Sequence, residues 1–388
     1  MGPVLRISGH GALAITLKGL TADQTAALVT CIRSPQIGAG HYPAPISLSS
    51  RECAVDPVSE LVLTGTPDQL RLLFPLLARE PRIPASIAQA IESLLDNYLR
   101  SDYKIDCRGK ILDLGGRTHI MGILNVTPDS FSDGGQYAEQ GAALEHAREM
   151  VFQGADIIDI GGESTRPGAE PLTEEEEVNR IIPVIERLSN DLRAPISVDT
   201  YKSSVAKKAL AAGASIVNDI SGLHFSPDMA HTIAVYGAAV VIMHIKGTPR
   251  DMQVNPVYGD VIDEIMEYLD ESAAIALQAG IGRDRIMIDP GIGFGKTLEH
   301  NLTILERLDE FRALGFPIVL GTSRKRFIGT VLDIADPKGR IEGTAATVAL
   351  GIQRGARIVR VHDVGHMSKV ARMTDAIVKA KHQVPSTN

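Results

Sequence analysis

Short apolar segments of this sequence repeatedly end in residues that can do chemistry. Carboxylate and amide side chains close three of these segments, at Asp199, Asn218 and Asp289. Such groups can bind a flat heterocycle that is rich in N–H donors, such as a pterin or a guanine-like ring. Glycines alternate in the segment GIGFG (291–295) that follows, and they allow the backbone to approach such a ring closely.

Cationic side chains close other segments of the same kind. Arg166, Lys325, Arg360 and His362 come from three different segments. If they converge, they form an anion site suited to phosphate or pyrophosphate, since Arg can bind such groups in a bidentate manner. Asn125 supplies a hard oxygen of the type that Mg²⁺ prefers, and Mg²⁺ often binds with few protein ligands plus substrate phosphates. These residue types predict an anion site with Mg²⁺ beside it.

The elements that must position these residues repeat from about residue 118 onward. Each apolar segment is followed by a polar loop and a helix-period segment. The eight predicted strands are 118–125, 155–161, 195–199, 215–219, 238–244, 285–289, 317–321 and 357–362. Near-continuous apolar runs are typical of strands buried on both faces. Eight such units predict an α/β fold, a (β/α)8 TIM barrel, in which the strand ends share one face. A doubly wound open sheet is the alternative.

A different region precedes the predicted barrel. Residues 1–100 read as a small α/β domain of unknown role, and 101–388 as the barrel. The predicted strands of the first region are 4–8, 13–18 and 60–63, and its predicted helices are 21–32, 67–78 and 84–99. We expect Thr66 to cap the second of these helices. The segment 103–116 could form a hairpin that closes the floor of the barrel.

Composition narrows the class of protein. The formal net charge is −8, which argues against a general affinity for nucleic acid. The three cysteines are far apart and predict neither a disulfide framework nor a zinc site. Apolar runs do not reach the ~18–20 residues that a membrane span needs. We therefore expect a soluble cytoplasmic protein that acts on small molecules.

Each polar residue also has a simpler explanation. An aspartate at a strand end often caps the next helix, which alone could account for Asp199 or Asp219. A single histidine is more often structural than catalytic. The acidic run 174–177 after Thr173 reads as a capped, solvated first turn of a helix. The functional interpretation gains weight because seven of the eight predicted strand ends carry such residues.

The motifs and their order resemble those of the dihydropteroate synthase family. The similar segments lie between about residues 105 and 380 and read MGILNVTPDSFSDGG, GGESTRPG, SVDTYK, VNDISG, DPGIGFGK, GTSRK and RVHDV. The first two are long and specific, whereas VNDISG alone would be weak. The resemblance implies a transferase of folate biosynthesis. Such an enzyme condenses 6-hydroxymethyl-7,8-dihydropterin pyrophosphate with p-aminobenzoate to give dihydropteroate and pyrophosphate.

The resemblance also implies a role for each matching residue. The implied pterin-binding residues are Asp199, Asn218, Asp289, Lys325, Met243 and Gly293. The implied pyrophosphate-binding residues are Asn125, Thr165, Arg166, Arg360 and His362, and Asn125 is also the implied Mg²⁺ ligand. The implied p-aminobenzoate side, where sulfonamides also bind in the family, is Pro167, Phe294 and Ser323. The expected catalytic residues are Asp199, Arg166, Lys325, Phe131 and Asp133.

The loop 125–135 is the remaining feature, and we interpret it as a mobile lid. Pro128 would stiffen its exit from the strand, and Gly134 and Gly135 would permit hinging. Phe131 and Asp133 would then cover the site together with the loop 164–168. The lid would exclude water, which competes with the amine for the cation left by pyrophosphate.

Two other functions fit part of the pattern. A pterin-dependent methyltransferase, which passes a methyl group to a corrinoid, resembles this family in its barrel but needs no pyrophosphate site. A non-catalytic pterin-binding protein would hold the ring without releasing pyrophosphate. The cationic strand ends favour the synthase. The resemblance further implies a homodimer.

Overall fold

The computed structural model describes residues 4–9, 13–32, 47–53, 56–126, 135–164 and 171–383. The chain divides into two compact units. The first comprises Met1–Arg100 with Asp309–Gly315, and the second comprises Ser101–Leu308 with Phe316–Asn388. The domain limits taken from the sequence, 1–100 and 101–388, stay a prediction.

The first unit contains a four-stranded antiparallel sheet in the order β1-β2-β4-β3. Its strands are β1 (Val4–Ser8), β2 (Leu13–Lys18), β3 (Ser47–Cys53) and β4 (Asp56–Gly65). Its helices are α1 (Ala22–Ile32), α2 (Pro67–Arg71), α3 (Phe74–Leu77) and α4 (Ala85–Leu99). The sequence did not indicate β3, because the segment SLSSREC is rich in serine and lacks an apolar period. The prediction of a small α/β region is confirmed.

One predicted helix of this unit is wrong as a single element. The segment 67–78 forms α2 and α3 instead. Pro75 lies near the start of α3 and has no N–H to donate to the carbonyl of Arg71, so a continuous helix is interrupted there. The capping prediction is confirmed, since Thr66 accepts a hydrogen bond from the N–H of Gln69 and the Gln69 side chain accepts from the N–H of Thr66.

The segment Asp309–Gly315 joins the first unit through side chains of α4. The Tyr98 hydroxyl donates a hydrogen bond to Oδ2 of Asp309 at 2.6 Å. The Asn97 amide donates to the carbonyl of Ala313 at 3.0 Å. The Arg312 guanidinium carbon lies 4.6 Å from the centroid of the Tyr98 ring. These contacts explain why a segment late in the sequence clusters with the first hundred residues.

The second unit is a closed barrel of eight parallel strands. In chain order they are β7 (His119–Asn125), β8 (Ile157–Gly161), β9 (Ile196–Asp199), β10 (Ile216–Asp219), β11 (Ala239–Met243), β12 (Ile286–Asp289), β13 (Ile318–Leu320) and β14 (Ala356–Val361). Pairing of β14 with β7, for example Arg360 opposite Met121, closes the ring. The (β/α)8 prediction is confirmed, and the open doubly wound sheet is excluded by this closure.

Helices follow the strands around the barrel. They are α5 (Gly135–Phe152), α6 (Glu174–Asp191), α7 (Ser203–Ala211), α8 (Met229–Tyr236), α9 (Val261–Gln278), α10 (Leu298–Glu306), α11 (Arg326–Leu332), α12 (Ile341–Gln353) and α13 (Val364–Gln383). Short 3-10 helices occupy Arg283–Arg285, Leu308–Leu314 and Pro337–Arg340. The predicted helix 298–314 is therefore α10 followed by a separate 3-10 helix. Thr173 caps α6 with a full capping box, as predicted. The predicted solvation of its first turn is wrong for Glu177, which is buried and paired with Lys202.

A hairpin covers the end of the barrel where the strands begin. Its strands are β5 (Lys104–Cys107) and β6 (Lys110–Asp113). Tyr103, Ile105 and Leu112 of this region belong to one buried apolar cluster with strand residues such as Met121 and Met287. The predicted floor is confirmed, and the strand ends on the opposite face remain available for chemistry. Among the helices of the described segments, none is long and apolar enough to cross a membrane.

Candidate active site

A buried ion-pair group lies at the ends of three barrel strands. Arg360 of β14 donates from Nε to Oδ2 of Asp159 in β8 and from Nη2 to Oδ2 of Asp199 in β9, each at 2.6 Å. The Asn218 amide donates to the same Asp159 oxygen at 3.1 Å. One guanidinium therefore orients two carboxylates from different strands. Three of the predicted site residues, Asp199, Asn218 and Arg360, come together here.

Burial shifts the pKa values of the side chains in this group. It raises the pKa of the Asp199 carboxyl; the Arg360 guanidinium opposes the rise, and the Asp159 carboxylate adds to it. Burial also acts to lower the pKa of Arg360, but Asp159 and Asp199 hold that pKa above its usual value. Oδ1 of Asp159 is buried without a hydrogen-bond partner among the described residues. A ligand N–H group would satisfy this oxygen.

Asp289 and Lys325 form a second polar group at the ends of β12 and β13. Oδ1 of Asp289 accepts a hydrogen bond from the N–H of Gly291 at 2.7 Å. A carbon added at Gly321 would lie 3.8 Å from Oδ2 of Asp289 and 4.0 Å from Nζ of Lys325, so both groups approach the same point. Burial lowers the pKa of Lys325 to about 8, and Asp289 opposes this shift. Burial raises the pKa of Asp289, and Lys325 opposes that rise.

The loop after β12 wraps around this second group. Nζ of Lys325 donates to the carbonyl of Ile292 and lies 4.7 Å from the ring centroid of Phe294. A Cβ at Gly293 would lie 3.2 Å from Cδ of Lys325. Met243 is buried and pairs in register with Asp289. Met243, Gly293 and Phe294 therefore lie beside Asp289 or Lys325, and their roles in binding the two substrates stay a prediction.

The glycines of this loop have a structural cause that the sequence did not reveal. Gly291 has φ of 71°, and a Cβ there would lie 1.9 Å from the carbonyl oxygen of His244. A Cβ at Gly295 would lie 2.4 Å from the carbonyl oxygen of Lys246. The backbone of the loop therefore packs directly on the backbone after β11. Close approach to a ligand is not needed to explain these two residues.

A buried lysine supports the same loop and was not identified from the sequence. Nζ of Lys296 lies 2.8 Å from Nδ1 of His244 and donates to the carbonyl of Phe294 at 3.0 Å. Burial lowers the pKa of His244 to about 2, and the positive charge of Lys296 adds to this effect. Burial also lowers the pKa of Lys296 well below its usual value. His244 is therefore neutral and positions Lys296 through a contact whose donor depends on the histidine tautomer.

Asn125 lies at the end of β7, beside Asp199. It pairs in register with Gly161 of β8. A carbon added at Gly161 would lie 3.8 Å from Oδ2 of Asp199 and 4.0 Å from Oδ1 of Asn125. Two hard oxygens thus face one small space. Groups of three or more His, Cys, Asp or Glu residues arranged for a metal ion do not occur in the described segments.

The turn after β13 places Ser323 beside His362. The N–H of His362 donates to Oγ of Ser323 at 3.1 Å, and Nδ1 of His362 lies 3.0 Å from the same oxygen. The next residue, Arg324, has φ of 58°, which is strained for a residue with a side chain. Asp363 accepts two hydrogen bonds from the Arg324 guanidinium, at 2.9 and 2.5 Å, and so stabilises this turn.

A further cluster supports the loop after β8. Nζ of Lys202 donates to Glu163 at 2.5 Å and to Glu177 at 2.7 Å. The Tyr201 hydroxyl donates to the other Glu163 oxygen at 3.1 Å. Burial raises the pKa of Glu177, and Lys202 opposes the rise. This cluster anchors the last described residues before the segment 165–170.

Several predicted residues lie outside the described part of the chain. They are Phe131, Asp133, Thr165, Arg166 and Pro167, and residues 127–134 of the proposed lid lie there with them. Asp159, which binds Arg360 and Asn218, received no role from the sequence. Its signal was a carboxylate inside an otherwise apolar strand, IIDIG, where only a paired charge can be buried.

The barrel and these strand-end groups define an α/β-barrel enzyme that binds a small polar ring and an anion. The sequence model of the pterin binding enzymes matches residues 121–362, and the chain belongs to that family. It is 53% identical over 262 residues to a dihydropteroate synthase of Bacillus subtilis, covering 68% of this chain and 89% of that protein. The resemblance inferred from the motifs is confirmed.

Solved structures agree with this assignment. A Clostridium difficile dihydropteroate synthase, solved in the presence of pteroic acid, is 50% identical with a TM-score of 0.65, covering 69% of this chain and 98% of that one. A Xanthomonas albilineans dihydropteroate synthase in complex with 7,8-dihydropteroate is 40% identical with a TM-score of 0.64, covering 73% of this chain and all of that one.

Proposed function

We propose that this chain joins 6-hydroxymethyl-7,8-dihydropterin pyrophosphate to p-aminobenzoate, as the dihydropteroate synthases that it resembles do. The observation that carries the proposal is the 2.6 Å contact between Arg360 and Asp199. The reaction breaks the bond between the pterin methylene carbon and a pyrophosphate oxygen. It therefore needs a positive group for the departing anion beside a negative group for the carbon that becomes cationic.

The pterin ring would bind between the two polar groups of the site. Asp289 and Lys325 converge on one point beside Gly321, where they could accept from and donate to the ring. Asn218 and the unpartnered oxygen of Asp159 could meet its other edge. Burial of these groups strengthens each hydrogen bond, because water competes less for it. Met243 and Gly293 would line the same pocket.

The bond-breaking step then follows from the charges. As the C–O bond breaks, its electron pair leaves with pyrophosphate, and Arg360 and His362 would bind that anion. Asp199 would stabilise the cation that spreads from the methylene carbon into the ring. The arylamine, neutral at pH 7, attacks this carbon with its nitrogen lone pair. The new C–N bond forms, and the ammonium proton passes to solvent.

The oxygen donors beside Gly161 fit a magnesium ion. Asn125 and a substrate phosphate would hold it, and Asp199 lies close enough to contribute. Bound Mg²⁺ would supply positive charge to the leaving pyrophosphate. The chain's own part is to orient Asn125 at the end of β7 and to keep the space beside Gly161 open.

The remaining assignments are proposed on the motif match. Thr165 and Arg166 would bind pyrophosphate, and Pro167, Phe294 and Ser323 would contact p-aminobenzoate. Phe131 and Asp133 would cover the site and exclude water. A homodimer in the cytoplasm is proposed on the resemblance alone, and light scattering of the purified chain tests the dimer.

The test is a paired assay of product formation. The purified chain receives the dihydropterin pyrophosphate, p-aminobenzoate and Mg²⁺, and pyrophosphate and dihydropteroate are followed together. We expect equal amounts of both, with loss of both when p-aminobenzoate is omitted. Pterin binding without pyrophosphate release would overturn the proposal and direct attention to methyl transfer to a corrinoid.

A further inference from the structure

A cavity of about 850 Å³ opens outward from the candidate active site. Asn125 and His362 line its inner end, and both belong to the proposed pyrophosphate side. Its outer part lies against α13 and α5, and His146, His366, Lys369 and Arg372 line it. We call this outer part the outer groove.

The outer groove carries the positive charges of Lys369 and Arg372, with two histidines beside them. His366, Lys369 and Arg372 follow one another at intervals of three residues along α13, which places them on one side of the helix. They span about 9 Å along the helix axis at ~1.5 Å per residue. His146 faces the same space from α5. The net charge of the whole chain is −8, so the groove opposes the overall charge.

Two carboxylates close to the row on α13 already have partners, and Glu149 of α5 accepts a hydrogen bond from the Gln153 amide at 2.7 Å. Asp363, the one carboxylate among the described lining residues, makes a two-point ion pair with Arg324. Asp375, one turn beyond Arg372, accepts hydrogen bonds from the N–H and hydroxyl of Thr118, each at 2.8 Å. Within the described residues, Lys369 and Arg372 make no side-chain ion pair. Both side chains are exposed, so their charges are available to an anion that enters the groove.

We propose that the outer groove is a second anion site, continuous with the inner one, for a phosphate chain. The inner residues would bind pyrophosphate as it leaves, and Lys369 and Arg372 would bind it on its way out. The identity of this anion as pyrophosphate rests on the proposed function. The positive charges of Lys369 and Arg372 in this groove would suit any polyphosphate, whether or not it is the pyrophosphate of the proposed reaction.

The length of the row of His366, Lys369 and Arg372 suggests inorganic tripolyphosphate as a probe of the outer groove. Inorganic tripolyphosphate is longer than pyrophosphate and can contact the inner and outer cations together. The ratio of the dissociation constants of pyrophosphate and tripolyphosphate thus reports on the outer groove. A loss of affinity at the inner site would weaken the binding of both ligands and leave this ratio unchanged. Titration calorimetry would compare the unmodified chain with the double variant Lys369→Ala, Arg372→Ala. Lys379→Ala is the matched control, since Lys379 is exposed on the same helix but does not line the groove.

We expect the unmodified chain and the control to bind tripolyphosphate about tenfold more tightly than pyrophosphate, which is about 1.4 kcal/mol. The double variant should bind the two ligands with nearly equal affinity. Equal ratios in all three proteins would show that Lys369 and Arg372 form only a solvated helix face, and the proposal would fall. Both substitutions are exposed and favour helix, so circular dichroism should be unchanged.

The same samples separate this proposal from the proposed function. If the ratio behaves as expected but dihydropteroate is not formed, the outer groove stands as a polyphosphate site and the synthase assignment fails. If dihydropteroate forms while the ratio is unaffected by the double substitution, the synthase assignment stands and the outer groove fails.

Discussion

Arg360 donates from Nε to Oδ2 of Asp159 at 2.6 Å, joining the eighth strand of the barrel to the second. Asp159 is completely buried, and the same guanidinium also binds Asp199. The contact connects residues 201 positions apart in the sequence. The barrel is therefore stabilised by the same arginine that we propose to bind pyrophosphate.

The first prediction concerns the loss of this pair. Replacing Asp159 by Ala should lower the free energy of unfolding by about 3 kcal/mol, because it leaves Arg360 partly buried with one partner fewer. It should also raise the KM for the pterin substrate, since Asn218 loses its acceptor. Asp191→Ala is the control, because Asp191 pairs with Arg148 on the surface, where solvent screens such a pair and its loss costs little. Similar urea midpoints for the two variants would contradict the prediction.

The second prediction concerns pH. Because the pKa of Lys325 is lowered to about 8, its ammonium loses the proton as the pH rises through that value. We expect kcat/KM for the pterin substrate to fall above pH 8, since only the charged form can donate to the ring with full strength. In Lys325→Arg the side chain stays charged, so the fall should disappear even if the rate is lower. A fall that persists unchanged in the variant must come from another group or from the substrate.

The same shift predicts how stability depends on pH. The lowered pKa means that the unfolded chain, with its lysine at the usual value of 10.5, binds more protons between pH 8 and 10.5. The contribution of Lys325 to the free energy of unfolding should therefore rise with pH across this window. Lys325→Met removes the contribution. The free energy of unfolding of the unmodified chain minus that of the variant, measured by urea unfolding, should increase as the pH rises from 8 to 10.5.

The fourth prediction compares two glycines. Gly161→Ala places a carbon no closer than 3.6 Å to its neighbours, so the stability should change by less than about 1 kcal/mol. The new methyl nevertheless occupies the space between Asn125 and Asp199, and we expect a higher Mg²⁺ requirement in the assay. Gly291→Ala should instead cost more than about 4 kcal/mol, because its Cβ would meet a carbonyl oxygen at 1.9 Å. Comparable stabilities of the two variants would refute this reading of the loop.

The last prediction concerns the cluster below the loop after β8. Lys202→Met leaves the Glu163 and Glu177 carboxylates facing each other without their cation. We expect a loss of about 3 kcal/mol at pH 7. The loss should be smaller at pH 5, because protonation of one carboxyl relieves the repulsion, and burial already raises the pKa of Glu177. Urea unfolding at the two pH values measures this, with Lys207→Met as an exposed control on α7, the helix that Lys202 precedes. A loss independent of pH would point to packing rather than charge.

The sequence by itself determined the eight strands of the barrel and the face on which the chemistry lies. Strands buried on both sides must be apolar, and the carboxyl ends of parallel strands meet at one end of a barrel. For this reason Asp199, Asn218, Asp289, Lys325 and Arg360 could be selected before any contact was known. The specific motifs then identified the family.

Only the tertiary structure decided which of these side chains meet. The partner of Arg360 depends on the closure of β14 against β7, which brings β8 within reach, and local sequence carries no record of that closure. The same holds for Gly291, whose need for φ of 71° arises from the backbone after β11. The Arg324–Asp363 pair is likewise a contact between separate segments, and so is the approach of His146 in α5 to the cavity beside α13. Burial can be inferred from the type of each residue and the periodicity of the local sequence. Which side chains pair depends instead on how distant segments of the chain come together in space.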